Sequence, residues 1–137
     1  MACILVVDDD RLVRSLLREV LEWEGYSVIE AENGDTGLQA YQVKPTDVVI
    51  TDMQMPGMDG LEMIRELRRA FPTARIIAIS GEQRALNMVK TLVQHTLEKP
   101  LCMKELLHTV QQLVSVPGLS GMKHSSAAAL DAIQVCV

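Results

Sequence analysis

CILVVDDD, residues 3–10, passes directly from five apolar residues into three successive acids. An unbroken run of Ile, Leu and Val without polar alternation is how a strand covered on both faces reads; a half-exposed strand alternates, and a helix needs a longer amphipathic stretch. Two further runs share this character, DVVIT at 47–51 and RIIAIS at 75–80, and two weaker ones, SVIE at 27–30 and HTLE at 95–98, bring the strands to five. The three strongest belong in the middle of a parallel sheet.

Between the runs the apolar period lengthens. Leu12, Val13, Leu16, Leu17, Val20 and Leu21 recur at spacings of one, three and four, with Arg11, Arg14, Ser15, Arg18, Glu19 and Glu22 opposite, which predicts a helix laid on the sheet. Another begins near Asp59, whose carboxylate suits the free N–H groups of a first turn and which Glu62 follows three positions on; Leu61, Ile64, Leu67 and Phe71 form its expected buried stripe. Arg65, Glu66, Arg68 and Arg69 read as its solvated face. A last helix runs from about Met103, with Leu106, Leu107, Val110, Leu113 and Val114 inward, and stops before Pro117-Gly118. Weaker patterns place helices near 34–42 and 83–93. Strict alternation of strand and helix implies an α/β doubly wound sheet of five parallel strands, with functional groups outside the carboxyl ends of the strands.

The bulk properties narrow the function classes. A chain of 137 residues, 48% hydrophobic, suffices for one ordinary domain, expected over residues 1–115, with 116–137 as a C-terminal tail or linker. A net charge of −5 speaks against direct nucleic-acid binding, which rests on clustered Lys and Arg. The opening residues lack signal-peptide anatomy and no apolar stretch approaches the roughly 20 residues of a membrane span, so a cytoplasmic protein with no membrane partner is expected. Cys3, Cys102 and Cys136 are too scattered for a zinc site or disulfide framework, and His95, His108 and His124 for a metal or catalytic cluster.

Just past the strands stand Asp8, Asp9 and Asp10, then Asp52, Ser80 and Lys99. If the first and third strands are neighbours, at least three carboxylates converge, and their repulsion calls for a cation. With oxygen ligands and no His or Cys nearby in sequence, the fitting ion is a hard one such as Mg²⁺. Asp10 is better placed to cap the first helix than to bind metal. A carboxylate nucleophile, a Lys to neutralise phosphoryl oxygens and a Ser hydroxyl to donate to one of them suit phosphoryl transfer. Taken singly, Lys99 reads as a surface lysine and Ser80 as a turn residue. Met53, Met55 and Met58 read as loop packing around Pro56-Gly57.

At these residues the sequence resembles the response-regulator receiver domains of two-component signalling. ILVVDDD followed by Arg11 is similar to the family's acidic-pair motif, VVITDMQMPGMDG to its phosphoacceptor strand and loop, IIAISG to the segment with its switch hydroxyl, and LEKPL to its Lys-Pro segment, across residues 3 to about 115. The resemblance implies strand order 2-1-3-4-5 and a cis peptide before Pro100. It implies Asp52 as phosphoacceptor, and Asp9, Asp52 and the backbone carbonyl of Gln54 as direct Mg²⁺ ligands, with Asp8 acting through water. Ser80 and Lys99 contact the phosphoryl group, and the donor is a phosphohistidine of a sensor histidine kinase or phosphotransfer protein. Enzymatic activity is then confined to self-catalysed phosphoryl uptake and hydrolysis, and a downstream protein is engaged through the 84–115 face.

Three features stand out against the family pattern. Thr96 stands three before Lys99, where the family usually has an aromatic residue; Leu92-Val93-Gln94-His95 replaces the Gly-Ala that commonly precedes the last strand, which predicts a short or shifted fourth helix; and Gln54 and Glu82 occupy positions that in this family tune dephosphorylation. Two other functions remain open. One is a phosphohydrolase of haloacid-dehalogenase type, with Asp8 and Asp10 as its D-x-D pair; the other is a binding module that signals without phosphorylation. Pro117, Gly118 and Gly121 break the pattern before a Ser/Ala stretch, read as linker, added sequence or a short helix from Ser126 to Ile133.

Overall fold

A computed structural model describes residues 2–55 and 59–115 of the chain. Pro56, Gly57 and Met58, together with the expected tail at 116–137, its helix at 126–133, His124 and Cys136, lie outside the described residues. The elements are β1 (Cys3–Val7), α1 (Arg11–Trp23), β2 (Ser27–Ala31), α2 (Gly34–Val43), β3 (Val48–Asp52), α3 (Gly60–Ala70), β4 (Ile76–Ser80), α4 (Gln83–Val89), β5 (His95–Glu98) and α5 (Met103–Val114). All strand pairs are parallel, in the order β2-β1-β3-β4-β5.

Every residue of β1, β3 and β4 is buried, which is why these segments carry no polar alternation. Their side chains still alternate between two cores. Ile4, Val6, Ile50, Ile77 and Ile79 pack with α1 and α5, whereas Leu5, Val7, Val49, Ile76 and Ala78 pack with the layer of α2, α3 and α4. Each fully buried Leu, Ile or Val contributes about 1.5–3 kcal/mol, so the two-sided core dominates the stability.

The helices follow their periodicity, with local corrections. In α1, Leu17, Val20 and Leu21 are buried, but Leu12 is 80% exposed because β1 has ended at Val7 and no strand underlies the first turn. In α3 the buried line is Gly60, Met63, Ile64 and Leu67; Leu61 and Phe71 sit half-buried at its margin, where Phe71 meets Tyr41 of α2 edge-on at 4.9 Å. Asp59 caps α3 by accepting the Glu62 N–H at 2.9 Å. All five inward residues expected of α5 are buried, as is Met103. The fourth helix is short, seven residues, and has no side-chain cap.

The chain from α4 to β5 replaces helix with side-chain pairing. Gln94 accepts the Ile76 N–H through its Oε1 at 2.7 Å and donates through Nε2 to the Ala74 carbonyl at 3.3 Å, while its own N–H reaches Ile76 O. Its amide serves as an extra rung at the entry of β4. Arg68 is not a solvated residue, as the charge pattern suggested. It is half-buried and donates to the carbonyls of Leu92 and Pro72 and to Gln94 Oε1, tying α3 to this connection.

Candidate functional site

The carboxyl ends of β1 and β3 are adjacent, since Val7 pairs with Thr51, and the next residue in each strand direction is an aspartate. Carboxylate oxygens of Asp8, Asp9 and Asp52 all lie within 4.8 Å of one another; Asp8 and Asp52 are buried and Asp9 is exposed. Asp10 turns away to cap α1, accepting the N–H groups of Leu12 at 2.9 Å and Val13 at 3.4 Å. Its own N–H donates to Asp8 Oδ1 at 2.8 Å.

Lys99 follows β5 and is joined to Pro100 by a cis peptide bond. Its Nζ stands 3.3 Å from Asp52 Oδ2 and 3.8 Å from Asp8 Oδ2. The Lys99 N–H donates to the carbonyl of Ser80, so the ends of β4 and β5 are latched together beside the acids. Ser80 is fully buried, and its hydroxyl accepts the Glu82 N–H at 3.0 Å. Gln54 donates its main-chain N–H to Asp52 Oδ1 at 3.2 Å, and its side chain donates to Glu82 Oε1 at 2.7 Å, bridging the loops after β3 and β4.

The charge balance of this pocket is unfavourable. At an effective dielectric near 20, two carboxylates about 5 Å apart repel by about 3 kcal/mol, and one ammonium offsets only part of it. The strain shows at Asp8, whose carboxyl is pushed up from 3.8 to about 6, chiefly by burial; the Asp10 N–H and Lys99 pull the other way, and the charges of Asp52 and Asp9 add to the rise. Three carboxylates in near contact form a donor set that suits a hard divalent cation, which would relieve both the repulsion and the cost of burying Asp8.

His95 is half-buried at the start of β5 and His108 is exposed on α5. Cys3 is buried and Cys102 exposed, both as free thiols. Met53 and Met55 are buried against the core, as loop packing requires. Thr96 is half-buried on the edge strand, paired in register with Ala78.

Two residues around the pocket were not legible. A Cβ on Gly60 would lie 2.3 Å from the Asp52 carbonyl oxygen and 2.6 Å from Met53 Cα, so the start of α3 is seated directly on the backbone of Asp52. The Asp59-Gly60 step in the sequence was a usable hint of such a close approach. Arg14, grouped with the polar face of α1, instead reaches back to the Asp8 carbonyl at 2.7 Å.

Comparisons with known proteins place the chain in a family. Residues 4–111 match the family model described as the response regulator receiver domain. The chain belongs to this family. Among curated relatives of this receiver domain, response regulator MprA of Mycolicibacterium vanbaalenii is 37% identical over 114 residues, covering 81% of this chain and 49% of MprA. The autoinducer 1 sensor kinase/phosphatase LuxN of Vibrio harveyi is 31% identical over 109 residues, covering 78% of this chain and 13% of LuxN. The receiver chain therefore spans at most about half of these relatives. Among solved structures it is similar to response regulator TrrA of Thermotoga maritima in complex with Mg²⁺-BeF, with 35% identity and a TM-score of 0.78 over 82% of this chain and 99% of that one. Chemotaxis protein CheY4 of Vibrio cholerae gives 30% identity and a TM-score of 0.76, over 82% and 98%. No helix among the described residues of the receiver is long and apolar enough to cross a membrane.

Proposed function

We propose that this receiver is a phosphorylation switch in which Asp52 takes a phosphoryl group from a phosphohistidine of a sensor histidine kinase or phosphotransfer protein. The observation that carries the proposal is the convergence of Asp8, Asp9 and Asp52 within 4.8 Å, with Lys99 Nζ 3.3 Å from Asp52. Carboxylates of Asp9 and Asp52 and the main-chain carbonyl of Gln54 would hold Mg²⁺ directly, with Asp8 acting through water. When bound, the cation offsets the acid cluster and draws charge from the phosphoryl oxygens. A Mg²⁺-BeF complex of the related TrrA supports this assignment.

The chain's own groups account for the rest. A free Asp52 oxygen attacks phosphorus as the bond from phosphorus to the donor imidazole breaks; the electron pair stays on that nitrogen, which then takes a proton from water. Lys99 neutralises a phosphoryl oxygen, and the Ser80 hydroxyl donates to another once it rotates from the Glu82 N–H. The added charge draws the loops after β4 and β5 inward and is relayed to a downstream protein through the 84–115 face, whose edge strand carries Thr96 in place of an aromatic. The only catalysis is the receiver's own uptake and hydrolysis of the group, in the cytoplasm. Residues 1–115 form the switch, and 116–137 a tail or linker. A phosphohydrolase using Asp8 and Asp10 is disfavoured because Asp10 is committed to the α1 cap.

Beryllofluoride provides the test. It is expected to shift amide resonances near Asp52, Ser80 and Lys99 only when Mg²⁺ is present, and Asp52→Asn is expected to abolish the response; an unchanged response in that variant overturns the assignment.

A further inference from the structure

The acid pocket depends on how the loop Asp8–Asp10 is held: the Asp8 N–H donates to the Ala31 carbonyl of β2 at 3.1 Å, and two further anchors come from α1. Asp10 caps the helix. One turn later Arg14 sends Nη1 back to the Asp8 carbonyl at 2.7 Å, while its Nε pairs with Glu30 Oε1 of β2 at 3.2 Å. The Arg14 side chain is only 14% exposed, so the guanidinium is clamped between an edge strand and the loop. Asp9 lies between the residues so held.

We propose that Arg14 is a positioning residue for the metal pocket, acting through the Asp8 carbonyl; this rests on the acid cluster being the Mg²⁺ site. Mg²⁺ tolerates little departure from octahedral geometry, so a loop that turns by a fraction of an ångström loses affinity even with every ligand present. Outer groups that hold ligands in place are commonly worth about 10–100-fold in metal affinity. A guanidinium suits the task because its planar fork satisfies two acceptors in different elements at once.

Arg18 supplies the control. It also pairs with Glu30, at 2.9 Å, but its other partner is Glu22. Mg²⁺ affinity is to be measured by NMR titration of the full chain for wild type, Arg14→Gln, Arg14→Lys and Arg18→Gln, together with Asp10 amide exchange in metal-free protein. Arg14→Gln is expected to weaken Mg²⁺ about tenfold or more and to speed Asp10 exchange. Arg14→Lys should recover part of both, and Arg18→Gln should stay within about twofold of wild type, the spread expected of an exposed pair. A purely structural role for Arg14 would lower the thermal midpoint while leaving the Mg²⁺ affinity of the folded protein unchanged, and that result overturns the proposal. So does an equal loss in Arg18→Gln. If wild type itself fails to bind Mg²⁺, the metal site falls, and the Asp10 exchange rate alone decides the role of Arg14: no acceleration in Arg14→Gln refutes it.

Discussion

Replacing Asp8 by Asn should make the metal-free protein more stable. The carboxyl ionises near 3.8 in an unfolded chain and near 6 in the fold, so the folded state resists losing that proton. For a group displaced upward, the favourable contribution is complete below the unfolded value and is lost as pH rises through the folded one. The penalty on wild type is therefore small near pH 4, about 1.5 kcal/mol near pH 5 and about 3 kcal/mol near pH 8. Asn removes the ionisation but retains an oxygen for the Asp10 N–H, now 2.8 Å from Asp8 Oδ1. Near pH 8 in chelator the thermal midpoint of Asp8→Asn should exceed that of wild type by about 10 °C, with the gap narrowing as pH falls toward 5. Added Mg²⁺ should reverse the order, because a ligand that binds only the folded state stabilises it by mass action and the variant has lost one of the carboxylates that support the ion. Thermal melts at two pH values, with and without Mg²⁺, supply the measurement. A variant that is no more stable than wild type near pH 8 in chelator would refute the electrostatic account of this pocket.

Two further substitutions test the scaffold. Gly60→Ala places a Cβ against the Asp52 carbonyl and should cost about 1–3 kcal/mol by overpacking in urea unfolding, with amide shifts concentrated at Asp52 and Met53; a neutral effect would show that α3 can withdraw freely. Gln94→Ala strips the rung from the Ile76 N–H and the Ala74 carbonyl and should cost about 1–3 kcal/mol, with faster exchange of the Ile76 amide; protection equal to wild type would mean that this side chain is dispensable.

The sheet was legible because burial on two faces leaves little room for polar residues in β1, β3 and β4, and the site followed from reading the polar groups at the carboxyl ends of β1, β3, β4 and β5. What escaped were contacts that periodicity does not encode. Leu12 keeps the spacing of the buried face but sits in a turn that no strand underlies. Met63 belongs to the buried line of α3, its sulfur 3.0 Å from where a Cβ on Gly37 of α2 would sit, a close approach that the Leu61, Ile64, Phe71 pattern does not encode. Arg14 and Arg68 looked like solvated charges, since composition cannot show that a guanidinium bends back to a main-chain carbonyl. Gln94 was noticed as a departure from the family pattern, but its amide acting in place of backbone depends on a partner strand eighteen residues earlier.

The seating of Gly60 also limits what can move. Asp52 is held laterally by its ladder to β4, and from behind by a helix whose first residue leaves no gap. In the proposed switch the acceptor would rest on an anvil, since a group attached to its side chain would find the start of α3 already seated against its backbone. In that switch, displacement would be directed into the rim, where the Gln54–Glu82 bridge, Ser80 and Lys99 lie, and the fold would turn a small chemical load into motion along one direction.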